Sequence, residues 1–340
     1  MVRSVVIEDS IKQELEQLPD TENSCAILLG SVQDDKRFIL AIYPVPEQAG
    51  DLEQDVESAV NNLLFALPGG CYPLGVIAKN KMFALSSIMK KVLGKLEVFV
   101  RVDEKVSETL FLQRAGSKIE GKIMVEGSLK PIAVKYMNFI SQWNEVCTYT
   151  TLVHHLDLSE RWKSNIQSYI KVLRQAQLMQ GGHKIKADND FLDDPGKGKN
   201  SQGKVLHPKL LVPLMKHERN GRSYGCCYGE LYTHIWVHNK YTIQQTRDTI
   251  LEDLVKSLIS RVKVFSKLDD AHYYNSKIQG VDDLKLPYRV TFPLGVIELS
   301  VYMLQEETLS NAGEVVKDMF ELCPTNLKAH EECKEFEQVI

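Results

Sequence analysis

Between Gly181 and Lys204 the chain carries Gly, Lys, Asp and Asn with a single Phe, Phe191, and almost no other large apolar side chain. Such a stretch cannot bury enough surface to offset the entropy of ordering it. The fold must therefore be built from what lies on either side. We read 181–204 as a flexible linker that separates residues 1–180 from residues 205–325, with a charged tail at 326–340. The chain's 340 residues agree with about two domains at a prior of roughly 150 residues each. At 44% hydrophobic and 25% charged residues, a disordered or fibrous chain is excluded. Lys and Arg (41) nearly balance Asp and Glu (45), so the basic excess of a dedicated nucleic-acid binder is missing and no nucleic-acid partner is expected.

The seven cysteines are odd in number and irregularly spaced, which fits reduced thiols better than a disulfide framework. The segment Met1 to Asp9 is too short and too polar for a signal peptide. The most apolar stretch, Phe65 to Ala78, is interrupted by Pro68, Gly69, Gly70, Pro73 and Gly75. No transmembrane helix is expected.

Periodicity predicts mixed α+β units on both sides of the linker. In the first, Val2–Ile7 reads as a strand. A helix capped by Ser10 and Gln13 follows, and Pro19 ends it. Cys25–Gly30 and Phe38–Tyr43 form a hairpin across the polar turn Gln33–Lys36. Leu52, Val56, Ala59, Val60, Leu63 and Leu64 recur at helical spacing until Pro68-Gly69-Gly70. A strand at Leu74–Ala78, a helix at Phe83–Leu93, a strand at Leu96–Val102 and paired strands within Val106–Met137 come next, then a helix over Leu158–Met179. In the second, Val205–Met215 and Glu230–Val237 are expected to pair around the turn signal Asn220-Gly221. Thr242 and Gln245 cap a helix whose stripe runs from Ile250 to Val262. Two strands, Tyr288–Leu294 and Val296–Leu304, precede a last helix lined by Val315, Val316, Met319 and Phe320.

Several patterns imitate chemistry. Gly198 to Lys204 matches most of a phosphate-binding loop, but Val205 stands where a metal-binding Ser or Thr is needed, and no strand–loop–helix context surrounds it. Gly221-Arg222-Ser223-Tyr224-Gly225 matches a nucleophile elbow, yet it begins inside a hairpin turn and leads into a strand. His234 and His238 sit four apart, as on a zinc-protease helix, but the segment reads as a strand and lacks the catalytic Glu, so a packed histidine pair is expected. His154-His155 and Cys226-Cys227 lack chelating spacing. Cys323, His330 and Cys333 offer three ligand types without an obvious fourth. A hydrolase using Ser223, or a zinc site in this tail, is the enzymatic alternative. No cluster of catalytic carboxylates stands out.

Three stretches carry a family resemblance. Ala26 to Val32, Phe38 to Pro46, the helix after them and Leu74-Gly75-Val76-Ile77 resemble an MPN domain, the fold of JAMM-type metal-dependent isopeptidases and their inactive relatives. Leu67-Pro68-Gly69-Gly70 ahead of Gly75, and Leu286-Pro287-Tyr288-Arg289-Val290-Thr291-Phe292-Pro293-Leu294, resemble the odorant-response-abnormal protein 4 (ODR-4-like) family, which Glu230–Phe265 also fits. The resemblance implies an MPN-like first domain followed by a smaller α+β domain. Active MPN relatives hold zinc with His-x-His-Pro and a later Ser-x-x-Asp. Here Ala78 and Asn80 occupy the histidine positions, Lys81 the proline, and Met89 and Val92 the Ser and Asp positions. No His lies between Met1 and Val153. Glu22, near the usual general base, then has no metal to work with.

The resemblance therefore implies a pseudoenzyme with no catalytic residue, metal or cofactor. It would act as an adaptor that binds the ubiquitin-fold-modifier-specific cysteine protease as a heterodimer. That protease would be held at the cytosolic face of the endoplasmic reticulum, and the family also assists maturation of membrane receptors. Family members end in a hydrophobic anchor, whereas this chain reads Lys334-Glu335-Phe336-Glu337-Gln338-Val339-Ile340 and is expected to be soluble by itself.

Overall fold

A computed structural model describes residues 4–18, 24–46, 51–78, 81–97, 106, 108–115, 118–156, 167, 170–180, 183–184, 209–211, 225–266, 287–324 and 326–330. The fold is mixed α+β, as expected.

The chain divides into two compact units: Met1–Trp143 with Phe292–Leu299 and Val316–Asn326, and Asn144–Thr291 with Ser300–Val315 and Leu327–Ile340. These boundaries differ from the expected division at 181–204. Composition finds where a chain is polar, whereas a compact unit is set by where contacts close. Here the last two hairpin strands and the last helix each contribute to both units.

In the first unit, β1 (Ser4–Glu8), β2 (Cys25–Gln33), β3 (Lys36–Pro44), β4 (Tyr72–Ala78), β5 (Leu110–Ala115), β6 (Lys118–Val125) and β7 (Ser128–Met137) form a closed barrel in the order β1-β3-β2-β4-β5-β6-β7. The β2–β3 hairpin is the one expected. Closure comes from β1, which pairs in parallel with β3 on one side and with β7 on the other. All residues of β1 and β4 are buried, the signature of strands covered on both faces. By contrast β7 alternates exposed and half-buried positions, as a strand with one solvated face should.

The helices α1 (Lys12–Gln17), α2 (Leu52–Ala66) and α3 (Met82–Glu97) belong to this unit. A 3-10 turn at Asp9–Ile11 leads into α1, and no side chain caps either, so the expected Ser10–Gln13 box does not form. Asp51 caps α2 by accepting the Glu53 amide at 3.2 Å. Its stripe from Leu52 to Leu64 is buried as predicted, each such side chain worth about 1.5–3 kcal/mol of transfer. In α3 the stripe Leu85, Met89, Val92, Leu93 and Leu96 is buried. The helix thus runs through Leu96 and Glu97, where a strand was expected; residues 98–102 of that expectation lie outside the described residues. Gly75 is required where β4 meets β5, because a Cβ there would run into the Leu110 carbonyl.

In the second unit a five-stranded sheet has the order β10-β9-β11-β8-β12: β8 (Trp143–Leu156), β9 (Gln177–Gln180), β10 (His183–Lys184), β11 (Lys209–Leu211) and β12 (Gly225–His238). Three expectations change here. Gln177 to Met179 are strand rather than the end of a helix; helix is found at 167 and 170–173. His183 and Lys184, inside the expected linker, pair with Gln180 and Met179. Lys209–Leu211, the described part of the expected strand 205–215, does not pair with the 230–237 strand, because β8 lies between β11 and β12.

Helix α4 (Ile243–Ser266) packs against β12. Its capping box forms as expected. Gln245 donates its amide to Thr242 Oγ1 at 3.2 Å, and the Thr242 amide donates to Gln245 Oε1 at 2.8 Å. A three-stranded sheet, β14 (Ile297–Met303), β13 (Tyr288–Leu294) and β15 (Lys328–His330), and helix α5 (Leu309–Phe320) complete the fold. Among the described residues, no helix is long and apolar enough to cross a membrane.

Candidate functional site

On a strand, alternate residues share a face. Glu145 and Cys147 therefore lie on one face of β8, and Tyr232 and His234 on one face of the neighbouring β12. The geometry brings them together. Glu145 Oε1 stands 2.8 Å from His234 Nε2. One Glu145 oxygen, Cys147 Sγ and one ring nitrogen of His234 lie within 4.8 Å of one another. Cys147 Sγ and Tyr232 Oη are 3.0 Å apart. His234 is fully buried and Cys147 8% exposed, whereas the Glu145 side chain is 38% exposed and gives the cluster its opening to solvent.

A second ring of contacts fixes these groups. The Tyr232 ring stacks on His330 of β15, with centroids 3.8 Å apart and planes 5° apart. His330 Nε2 is 3.0 Å from Thr291 Oγ1. The His234 amide donates to Asp253 Oδ2 of α4 at 3.1 Å. Asp253 also receives both Arg289 terminal nitrogens, at 2.6 and 3.2 Å. Arg289 further donates to Ser300 Oγ at 2.8 Å and to the Tyr232 carbonyl at 3.2 Å. The Glu145 carboxyl is held below its ordinary range, first by the hydrogen bond from His234. Partial burial opposes that shift, and the charges of His234 and Lys328 reinforce it.

In a nucleophilic relay the nucleophile and the carboxylate stand on opposite ring nitrogens. Here the carboxylate stands on Nε2, and the sulfur is 3.0 Å from Tyr232 Oη.

The sequence-predicted positions fall elsewhere. Ala78 of β4 is 4% exposed, and Met89 and Val92 of α3 are 1% and 0% exposed, so these core side chains do not fit a zinc ion and no step is derived through one. Lys81 has a φ of 61° at the start of α3 and pairs with Asp51 and Glu53, each at 3.4 Å. Asn80, Glu22, Ser223, Gly198–Lys204 and Cys333 lie outside the described residues. The side chains of His154, His155, Cys226 and Cys227 do too, although their backbones belong to β8 and β12. Cys323 is exposed, and His330 is engaged in the stack on Tyr232. His234 and His238 are both buried, as a packed pair should be, with His238 Nδ1 accepting the Lys240 amide at 3.2 Å.

Sequence reasoning missed Glu145 and Cys147 as partners of His234. The only local signal was their i, i+2 spacing; the pairing of β8 with β12 supplies the rest.

A profile of the odorant response abnormal 4-like (ODR4-like) family matches residues 27–329. No curated protein matches. Among solved structures the chain is similar to a crystal structure of UfSP from C. elegans, with a TM-score of 0.50 and 10% sequence identity, covering 94% of this chain and 57% of that one. The chain thus spans little more than half the length of that structure, and at such identity the likeness is one of fold.

Proposed function

The chain belongs to the ODR4-like family, and from that membership we propose that it is a non-catalytic adaptor for a UfSP-class protease, the ubiquitin-fold-modifier-specific cysteine protease. It binds the protease as a heterodimer and positions it at the cytosolic face of the endoplasmic reticulum. Maturation of membrane receptors is the family's second role and follows from the same placement.

The observation that carries this reading is the likeness to UfSP over 94% of the chain. Two chains of related fold present related edges and helix faces, so a pseudo-symmetric pair is a low-cost assembly. The non-catalytic half of the reading is supported by the buried side chains of Ala78, Met89 and Val92, which offer a zinc ion no hydrolytic ligand set. A stable heterodimer of this kind buries on the order of 1,600 Å².

Co-expression with a UfSP-class protease, affinity capture and mass measurement on a sizing column test the reading. The expected product is one complex with one copy of each chain. Separate elution of the two chains at micromolar concentration refutes the adaptor role, and cleavage of a modifier conjugate by the purified chain alone refutes the non-catalytic one. Cell fractionation with and without this chain tests placement: the protease should leave the microsomal fraction when the chain is deleted.

A further inference from the structure

We propose that Glu145, Cys147 and His234 form a binding site for a single Zn²⁺ ion in the second unit. Three different donors, a carboxylate, a thiol and an imidazole, converge from two adjacent strands to within 4.8 Å. Thiolate and imidazole together select zinc-like ions over magnesium or calcium, which prefer all-oxygen cages. Tetrahedral zinc with bonds of about 2.0–2.3 Å separates its ligand atoms by roughly 3.4–3.6 Å. The 2.8 Å between Glu145 and His234 therefore has to open slightly and the sulfur has to close by at most roughly 1.2–1.4 Å. Glu145 can move to allow this, because its side chain is the exposed member of the set.

The surroundings match the charge of such an ion. Carboxylate and thiolate together neutralise Zn²⁺ when the imidazole is neutral, and the adjacent Asp253–Arg289 pair is already balanced. Binding breaks the Cys147 S–H bond, forms a Zn–S bond and releases the proton to solvent. Tyr232 Oη, 3.0 Å from the sulfur, then donates its hydrogen to the bound thiolate, and the ring stack on His330 holds Tyr232 in place for it. The fourth position faces the solvent side of Glu145, where water completes the tetrahedron. With the imidazole sealed in and the sulfur nearly so, the ion's role is to clamp β8 to β12.

The test uses the full-length chain stripped with a chelator and titrated with Co²⁺. The expected result is one equivalent bound, with the near-ultraviolet thiolate-to-cobalt band and the visible bands of a tetrahedral site, both displaced by Zn²⁺. Cys147→Ser should abolish the thiolate band. Tyr232→Phe should keep the band and weaken binding roughly 10- to 100-fold. Glu145→Gln, at a solvent-facing position, should weaken binding with folding intact by circular dichroism, so the proposal does not depend on how the buried variants fold. Absence of the band, or its survival in Cys147→Ser, overturns the assignment. So does a band lost in Cys323→Ser but kept in Cys147→Ser, which would place the metal in the C-terminal segment instead.

Discussion

Replacing Asp253 with Asn changes one carboxylate oxygen to an amino group and leaves the shape of the side chain unaltered. In the native chain this carboxylate, 1% exposed, accepts both terminal nitrogens of Arg289 and the amide of His234. Asn keeps one acceptor and turns a donor toward a guanidinium that is itself 1% exposed. Two charge-assisted bonds of about 1.5–3 kcal/mol each lose their charge, and Arg289 is left as an uncompensated buried cation. The expected loss is about 3–5 kcal/mol, the usual cost of breaking a buried pair from one side. For a unit of about 180 residues this corresponds to a melting shift of roughly 6–20 °C. Urea unfolding followed by circular dichroism and tryptophan fluorescence measures it. Asp253→Leu combined with Arg289→Met removes both charges and should be more stable than either single variant. A loss below about 1 kcal/mol for Asp253→Asn, or a double variant no better than the singles, refutes the reasoning.

Gly75→Ala drives a Cβ into the Leu110 carbonyl and should cost about 3 kcal/mol or more, seen as loss of a cooperative transition. Gly94→Ala, in mid-α3 with open space around the new methyl, should instead stabilise by about 0.5–1 kcal/mol; destabilisation in a urea titration would contradict the helix at that point. Burial pushes the Cys25 thiol up to about 12, so native-state labelling at mildly alkaline pH should modify the exposed Cys323 and spare Cys25; comparable rates would contradict it. Burial raises the Glu8 carboxyl above its ordinary 4.5, with the nearby Asp9 charge adding to the rise and the Phe139 amide opposing it. The folded state therefore holds that proton more tightly than the unfolded one, and stability falls as pH rises from 4.5 through the raised folded value. The stability of the parent relative to Glu8→Gln should accordingly decline as pH rises above 4.5; a flat or rising difference in urea midpoints would rule this out.

The local elements were legible wherever one face is buried and the signal is short-range. The β2–β3 hairpin, the α2 stripe and the Thr242–Gln245 box each follow from residues a few positions apart. The end of α3 was misread, although Leu85, Met89, Val92 and Leu96 keep helical spacing, because Gly94 resembles a stop. Gln177 to Met179 lost a helical reading to strand pairing with Lys209 to Leu211, a partner far along the chain. The candidate site was illegible for the same reason. Glu145 and Cys147 meet His234 only through the adjacency of β8 and β12, and Asp253 and Arg289 arrive from still other elements. Periodicity records which face a residue occupies; it does not record which strand will lie beside it.

Parallel pairing of β1 on both of its edges has a consequence for biosynthesis. Ser4 to Glu8 leave the ribosome before any other part of the barrel, yet Glu8 pairs with Met137, so the seam cannot shut until that residue has been made. At about 5–20 residues per second the nascent chain spends roughly 6–26 s with a strand edge unpaired. The first strand synthesised is thus the last to be locked in, and a deletion of as few as the first eight residues should leave a permanently open, self-adhesive edge.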